Sequence, residues 1–99
     1  MAPDAAKAYQ KLAAHIRSQV RDALELHLRH EPTKISKSRI KRLRGVSRPQ
    51  YRLRVDEIRV FYDVKETTVE ILAILQKADA RKWLDKEGTL DPGGRVSKS

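Results

Sequence analysis

The sequence predicts a single α+β domain, and three features carry that expectation. Apolar residues recur at helical spacing from Tyr9 to Leu28. Side chains alternate strictly from Tyr51 to Val64. A run that is apolar on both faces, Val69 to Leu75, is followed by a short helix-forming stretch. Helices that precede consecutive antiparallel strands define the α+β class. A chain of 99 residues has room for one modest core, so no second domain is expected.

The elements follow in order. From Asp4 to about Arg29 the chain is rich in Ala, Leu, Gln and Arg, and Tyr9, Leu12, Ile16, Val20, Leu24 and Leu28 form one apolar stripe. One long helix, or a hairpin bent near Ala13, Ala14 and His15, satisfies this pattern equally, because neither Gly nor Pro marks a turn there. Glu31 and Pro32 close the helical part, since the residue before a proline is pushed out of the α region. Thr33 to Ser38 reads as a polar connection. Ile40 and Leu43 punctuate a basic run that suits a short edge strand or a helical turn, and Gly45, Ser47, Arg48 and Pro49 make a turn.

The clearest β signal comes next. Tyr51, Leu53 and Val55 alternate with Arg52 and Arg54, Asp56 and Glu57 turn the chain, and Ile58, Val60, Tyr62 and Val64 alternate with Arg59, Phe61 and Asp63. After a turn at Lys65 to Thr67, the strand Val69 to Leu75 is apolar on both faces except for Glu70, the pattern of a strand in mid-sheet. The three strands form a meander. Ala78 to Asp85 reads as a C-terminal helix carrying Trp83 and Leu84, with Gly88 as its stop. The domain is thus expected over residues 1–87, and residues 88–99 are expected to form a disordered tail.

Charge is concentrated rather than spread. Of the net +9, +8 falls between Lys34 and Arg59, where Lys34, Lys37, Arg39, Lys41, Arg42, Arg44, Arg48, Arg52, Arg54 and Arg59 face only Asp56 and Glu57. Such a field captures polyanions quickly without specifying which one. The absence of cysteine excludes disulfides and thiolate metal sites and suits a reducing cytosol. With no apolar signal core in MAPDAAKAYQ and no apolar run of about eighteen residues, a cytoplasmic protein with no membrane partner is expected.

Alternation puts Arg52 and Arg54 on one face of their strand, with Arg59 on the matching face of its partner. Like charges at that range repel, so their grouping suggests an anion that brings them into use, and the planar guanidinium fork suits phosphate. A solvated basic face, or ion pairs with Asp56, Glu57 and Asp63, is the plainer alternative. His15, His27 and His30 all lie in the helical half, so neither a metal site nor a histidine base is expected.

The run KRLRGVSRPQYRLRVDEIRVFYDV, followed by VEILAILQKADARKWL, resembles the RelE/ParE toxin superfamily of type II toxin–antitoxin systems. In that superfamily a basic Leu-Arg-Gly segment precedes a Tyr-Arg-Leu-Arg-Val hairpin and an Arg-Val-Phe-Tyr strand. The resemblance extends from roughly Ala5 to Leu84. For RelE-like members it implies ribosome-dependent cleavage of messenger RNA, without metal or other cofactor. There a ribose 2′-oxygen attacks the neighbouring phosphate while basic side chains stabilise the pentacovalent charge.

Carried over by position, Arg52, Arg54, Arg59 and Lys77 become the catalytic cations, and Lys37, Arg39, Lys41, Arg42, Arg44 and Arg48 become RNA-binding residues. Trp83 falls where some members have a tyrosine proposed to move a proton, which an indole cannot do. It becomes a core plug or a contact for a partner. Tyr51, Tyr62, Asp56, Glu57 and Asp63 are the other candidate proton carriers. Family members usually open with a β-strand, whereas MAPDAAKAY goes directly into helix, so an uncovered sheet edge is expected. The implied partners are a cognate antitoxin, whose acidic or amphipathic segment covers the basic face, and the ribosome with its mRNA. Gyrase poisoning, as in ParE-like members, and a non-catalytic basic binding module are the alternatives.

Overall fold

The computed structural model of the chain describes residues 1–36 and 39–90. Pro3, at a first-turn position where its missing N–H costs nothing, opens α1 (Pro3–Lys11). Leu12 and Ala13 are both extended, with ψ of 147°, and the chain re-enters helix as α2 (Ala14–Ala23), which runs on into a π-helical turn, Leu24–Leu28. The hairpin is therefore the form adopted. Its bend needs neither Gly nor Pro because Arg17 reaches back across it. One guanidinium nitrogen donates to the carbonyls of Gln10 and Leu12, at 3.1 and 3.3 Å. Carbonyls in the last turn of α1 have no partner within the helix, and a cation there is doubly favourable.

Five strands follow: β1 (Ile40–Arg42), β2 (Val46–Arg48), β3 (Tyr51–Val55), β4 (Ile58–Lys65) and β5 (Thr68–Gln76), with α3 (Lys77–Glu87) and a two-residue β6 (Thr89–Leu90) completing the fold. The main sheet is antiparallel in the order β1-β3-β4-β5, while β2 and β6 form a separate ribbon. Asp56 and Glu66, at φ of 54° and 55°, turn the two hairpins. Both positions are left-handed, a conformation that Asp tolerates better than most residues.

Three expectations need correction. The basic run at Ile40 is a paired strand, so the sheet has four strands rather than three. Val69 to Leu75 does not lie in mid-sheet. It forms the edge, and it is apolar on both faces because α1 packs over one and α3 over the other. The uncovered edge is in part occupied, since the Ala2 N–H donates to the Ile71 carbonyl at 2.7 Å, as a strand at that place would. Thr89 and Leu90, at the head of the segment expected as a tail, pair with Arg48 and Val46. Residues 91–99 of that expected tail lie outside the described residues.

The sheet has two unequal faces. On one, Leu53, Val55, Ile58, Val60, Tyr62, Ile71 and Ile74 meet Ala5, Val20 and Leu28 of the helical hairpin, forming the main core. Each such side chain, fully buried, contributes roughly 1.5–3 kcal/mol by leaving water. On the other face α3 covers only Phe61, Ala73 and their surroundings, through Ala80, Trp83 and Leu84. The rest of that face stays open.

Gly88 holds the end of α3 against the ribbon. A Cβ built there would lie 2.6 Å from the Leu84 carbonyl oxygen and 3.5 Å from Val46. Gly88→Ala is expected to unlatch β6 from β2 at a cost of about 1–2 kcal/mol. Hydrogen exchange checks it: amides of 46–48 and 89–90 should exchange faster while those of β3 and β4 keep their protection.

Candidate polyanion-binding groove

The hairpin register decides where the cations go. Arg54 lies opposite Arg59, Arg52 opposite Phe61, and Lys41 of β1 opposite Arg52, so all four cations occupy the face that α3 only partly covers. Among the described residues no carboxylate forms an ion pair with Arg52, Arg54 or Arg59. α3 begins beside this face, where the Lys77 N–H donates to the Glu57 carbonyl at 2.7 Å. Between the sheet, the β1–β2 segment and α3 lies an open groove of about 1070 Å³. Lys41, Arg44, Arg52, Arg59, Lys77 and Arg81 line it, and among the described residues Asp85 is the one acidic residue of the lining.

Two of these cations are held in unusual ways. Arg59 is only 7% exposed, and its guanidinium donates to the carbonyls of Asp56 and Ile58, at 2.7 and 3.1 Å. The turn thus supplies the partners a buried cation requires. Arg52 is not so supplied. Its Nε is buried without a hydrogen-bond partner among the described residues, and burial, then the charges of Arg59 and Arg54, pushes its pKa below the ordinary guanidinium value. A buried donor left unmet beside two like charges is costly in the free protein, and an anion in the groove would relieve the repulsion between the charges.

The other sequence-predicted residues divide. Arg54 shares the sheet face but not the groove lining, and it is exposed. Arg42 borders the groove, yet its guanidinium lies 5.2 Å above the Tyr51 ring and donates to the Gln50 carbonyl at 2.9 Å. Arg48 stands apart, 3.8 Å from Asp63 and 3.4 Å from Glu70, because β2 carries it toward the β4–β5 hairpin. Arg39 does not line the groove, and its charge, after burial, lowers the pKa of His27. Lys37 lies outside the described residues.

Arg81 was missed by the sequence reading. The signal was available, since Lys77, Arg81 and Asp85 recur every four residues on one helix face.

The candidate proton carriers are mostly committed elsewhere. Tyr51 and Tyr62 stack on each other at 5.4 Å on the opposite, helix-covered face, and the Tyr62 hydroxyl donates to the Pro32 carbonyl at 2.6 Å. Asp63 accepts the Gln50 N–H at 2.7 Å. Asp56 and Glu57 form the hairpin turn. Trp83 is half-buried and stacks on Phe61, with ring centres 5.1 Å apart. Among the described residues no His, Asp and Glu cluster could hold a metal ion, and no helix is long and apolar enough to cross a membrane.

A helical hairpin on one sheet face and a basic groove on the other define a small α+β domain. The chain matches, over residues 1–81, the family described as the ParE toxin of type II toxin-antitoxin system, parDE. It belongs to that family, within the RelE/ParE superfamily of toxins, and membership implies a cognate antitoxin as partner. No curated protein and no solved structure matches the chain.

Proposed function

We propose that this toxin binds RNA in the groove and cleaves messenger RNA on the ribosome, without a metal. The carrying observation is the clustering of Arg52 and Arg59, neither paired with a carboxylate among the described residues, in a groove that also presents Lys41, Arg44 and Lys77. A phosphodiester lodged there receives parallel guanidinium hydrogen bonds, and the cations stabilise the extra negative charge that develops when the 2′-oxygen attacks phosphorus. Lys77, which also lines the groove, would protonate the 5′-oxygen as its bond to phosphorus breaks, and the 2′ proton would pass to water. Asp85, the one acidic residue among the described residues of the lining, lies 3.4 Å from Arg81, and charge stabilisation is the main catalytic contribution in this reading.

The test is to incubate the purified protein with translating ribosomes and map mRNA ends. Cuts within the ribosome-occupied codon are expected, and unbroken mRNA under all conditions would remove the nuclease reading. RNA binding measured between 50 and 200 mM salt should weaken with a log–log slope of about −2 to −3, the value for three or four single-strand phosphates neutralised.

A second reading, poisoning of gyrase, is favoured by two observations. The matching family is described as ParE, and Trp83 offers no proton where some RelE-like members have tyrosine. Inhibited supercoiling by purified gyrase, together with intact mRNA, would establish it.

A further inference from the structure

The groove is not lined by charge alone. Leu43, Val46, Leu84 and Leu90 form an apolar shelf beside its cations. Leu90 is 50% exposed, although β6 holds its backbone opposite Val46. The shelf exists because Gly88 lets the chain pass close over the Leu84 carbonyl, whose oxygen accepts the Gly88 N–H at 2.9 Å. Ser47 steadies the same ribbon through hydroxyl contacts of 3.4 and 3.5 Å to the carbonyls of Thr89 and Leu90. Leu84, Gly88 and Leu90 all lie beyond residue 81, where the family match ends.

A leucine pinned half-exposed at the wall of a charged groove gains free energy only when something apolar covers it. Free phosphate would satisfy Arg52 and leave the shelf wet. An acidic side chain would do the same. A nucleotide carries both an anion and a flat, apolar base face, the two kinds of surface this groove presents, and needs no folded partner segment to bring them together.

We propose that this shelf is a nucleobase subsite: the base of the nucleotide whose phosphate rests on Arg52 and Lys77 lies against Leu43, Val46 and Leu90. The proposal rests on the RNA reading above and adds to it the recognition of a base. Contact of this kind senses the flat face of a base rather than its hydrogen-bonding edge, so purines and pyrimidines are both accepted.

NMR titrations of the full chain with inorganic phosphate, uridine 3′-monophosphate and adenosine 3′-monophosphate separate the possibilities. Both nucleotides should bind ~10-fold more tightly than phosphate. Leu90→Ser should reduce them to the level of phosphate while leaving phosphate affinity unchanged, and the exposure of Leu90 keeps this variant folded. Arg52→Met should weaken all three ligands. Equal affinity for nucleotide and phosphate in the unaltered protein overturns the subsite, as does a preference that survives Leu90→Ser. If phosphate binds and only the preference is missing, the RNA reading stands without the subsite. If phosphate does not bind at all, both fall.

Discussion

Replacing Arg52 with methionine is expected to abolish most RNA cleavage and, at the same time, to leave the fold as stable as before or more so. The side chain's methylene stem is kept, while the buried Nε without a partner and the repulsion from Arg59 and Arg54 are removed. Loss of one preorganised donor to a charged transition state typically costs ~10²- to 10³-fold in rate, and loss of one charged hydrogen bond lowers affinity by ~10- to 100-fold. Cleavage assays, RNA titrations and thermal melts on the same preparation check the result. A variant that loses both activity and stability would show that Arg52 serves the fold instead.

Arg59 gives no such clean separation. Its guanidinium holds the carbonyls of Asp56 and Ile58, so Arg59→Ala opens the hairpin turn as well as the groove. An Arg59→Ala protein that cuts normally would nevertheless remove that residue from the chemistry.

Tyr62→Ala is expected to cost about 3–5 kcal/mol, a large share of the stability of so small a domain. Tyr62 is fully buried, and it joins three parts of the molecule: its ring stacks on Tyr51, its body fills the main core, and its hydroxyl reaches the Pro32 carbonyl that ends the helical hairpin. Burial, then the neighbouring Tyr51, pushes its pKa far above the ordinary tyrosine value, so the hydroxyl keeps its proton and this hydrogen bond throughout the usable pH range. Tyr62→Phe removes only the hydrogen bond and should cost about 1 kcal/mol, a drop of roughly 4–8 °C in Tm. Calorimetric melts of the three proteins should fall in that order. A Tyr62→Phe loss as large as that of Tyr62→Ala would mean that the bond to Pro32, not packing, holds helices to sheet.

How much of this was legible in the residues depended on how far apart the cooperating groups are. The alternation from Tyr51 to Val64 was local, and it was enough to place Arg52, Arg54 and Arg59 on one face. The bend in the helical hairpin was ambiguous because the group that stabilises it, Arg17, acts on carbonyls five and seven residues back. Ile40–Arg42 is too short for any periodicity to announce a strand. The β2–β6 ribbon joins segments some 43 residues apart, so Leu90 read as tail. The site followed the same rule. Which of the aligned guanidiniums enters the groove depends on where α3 crosses the sheet, and that crossing brings in Arg81 while leaving Arg54 outside.

The stacked pair beneath α3 also gives the molecule a built-in optical probe. Trp83 is the only indole in the chain, and it rests on Phe61, whose strand neighbour across the sheet is Arg52. Emission excited selectively in that one chromophore therefore reports whether the last helix is seated. Because other residues of α3 wall the groove, a ligand that shifts the helix would change the same signal without any attached dye.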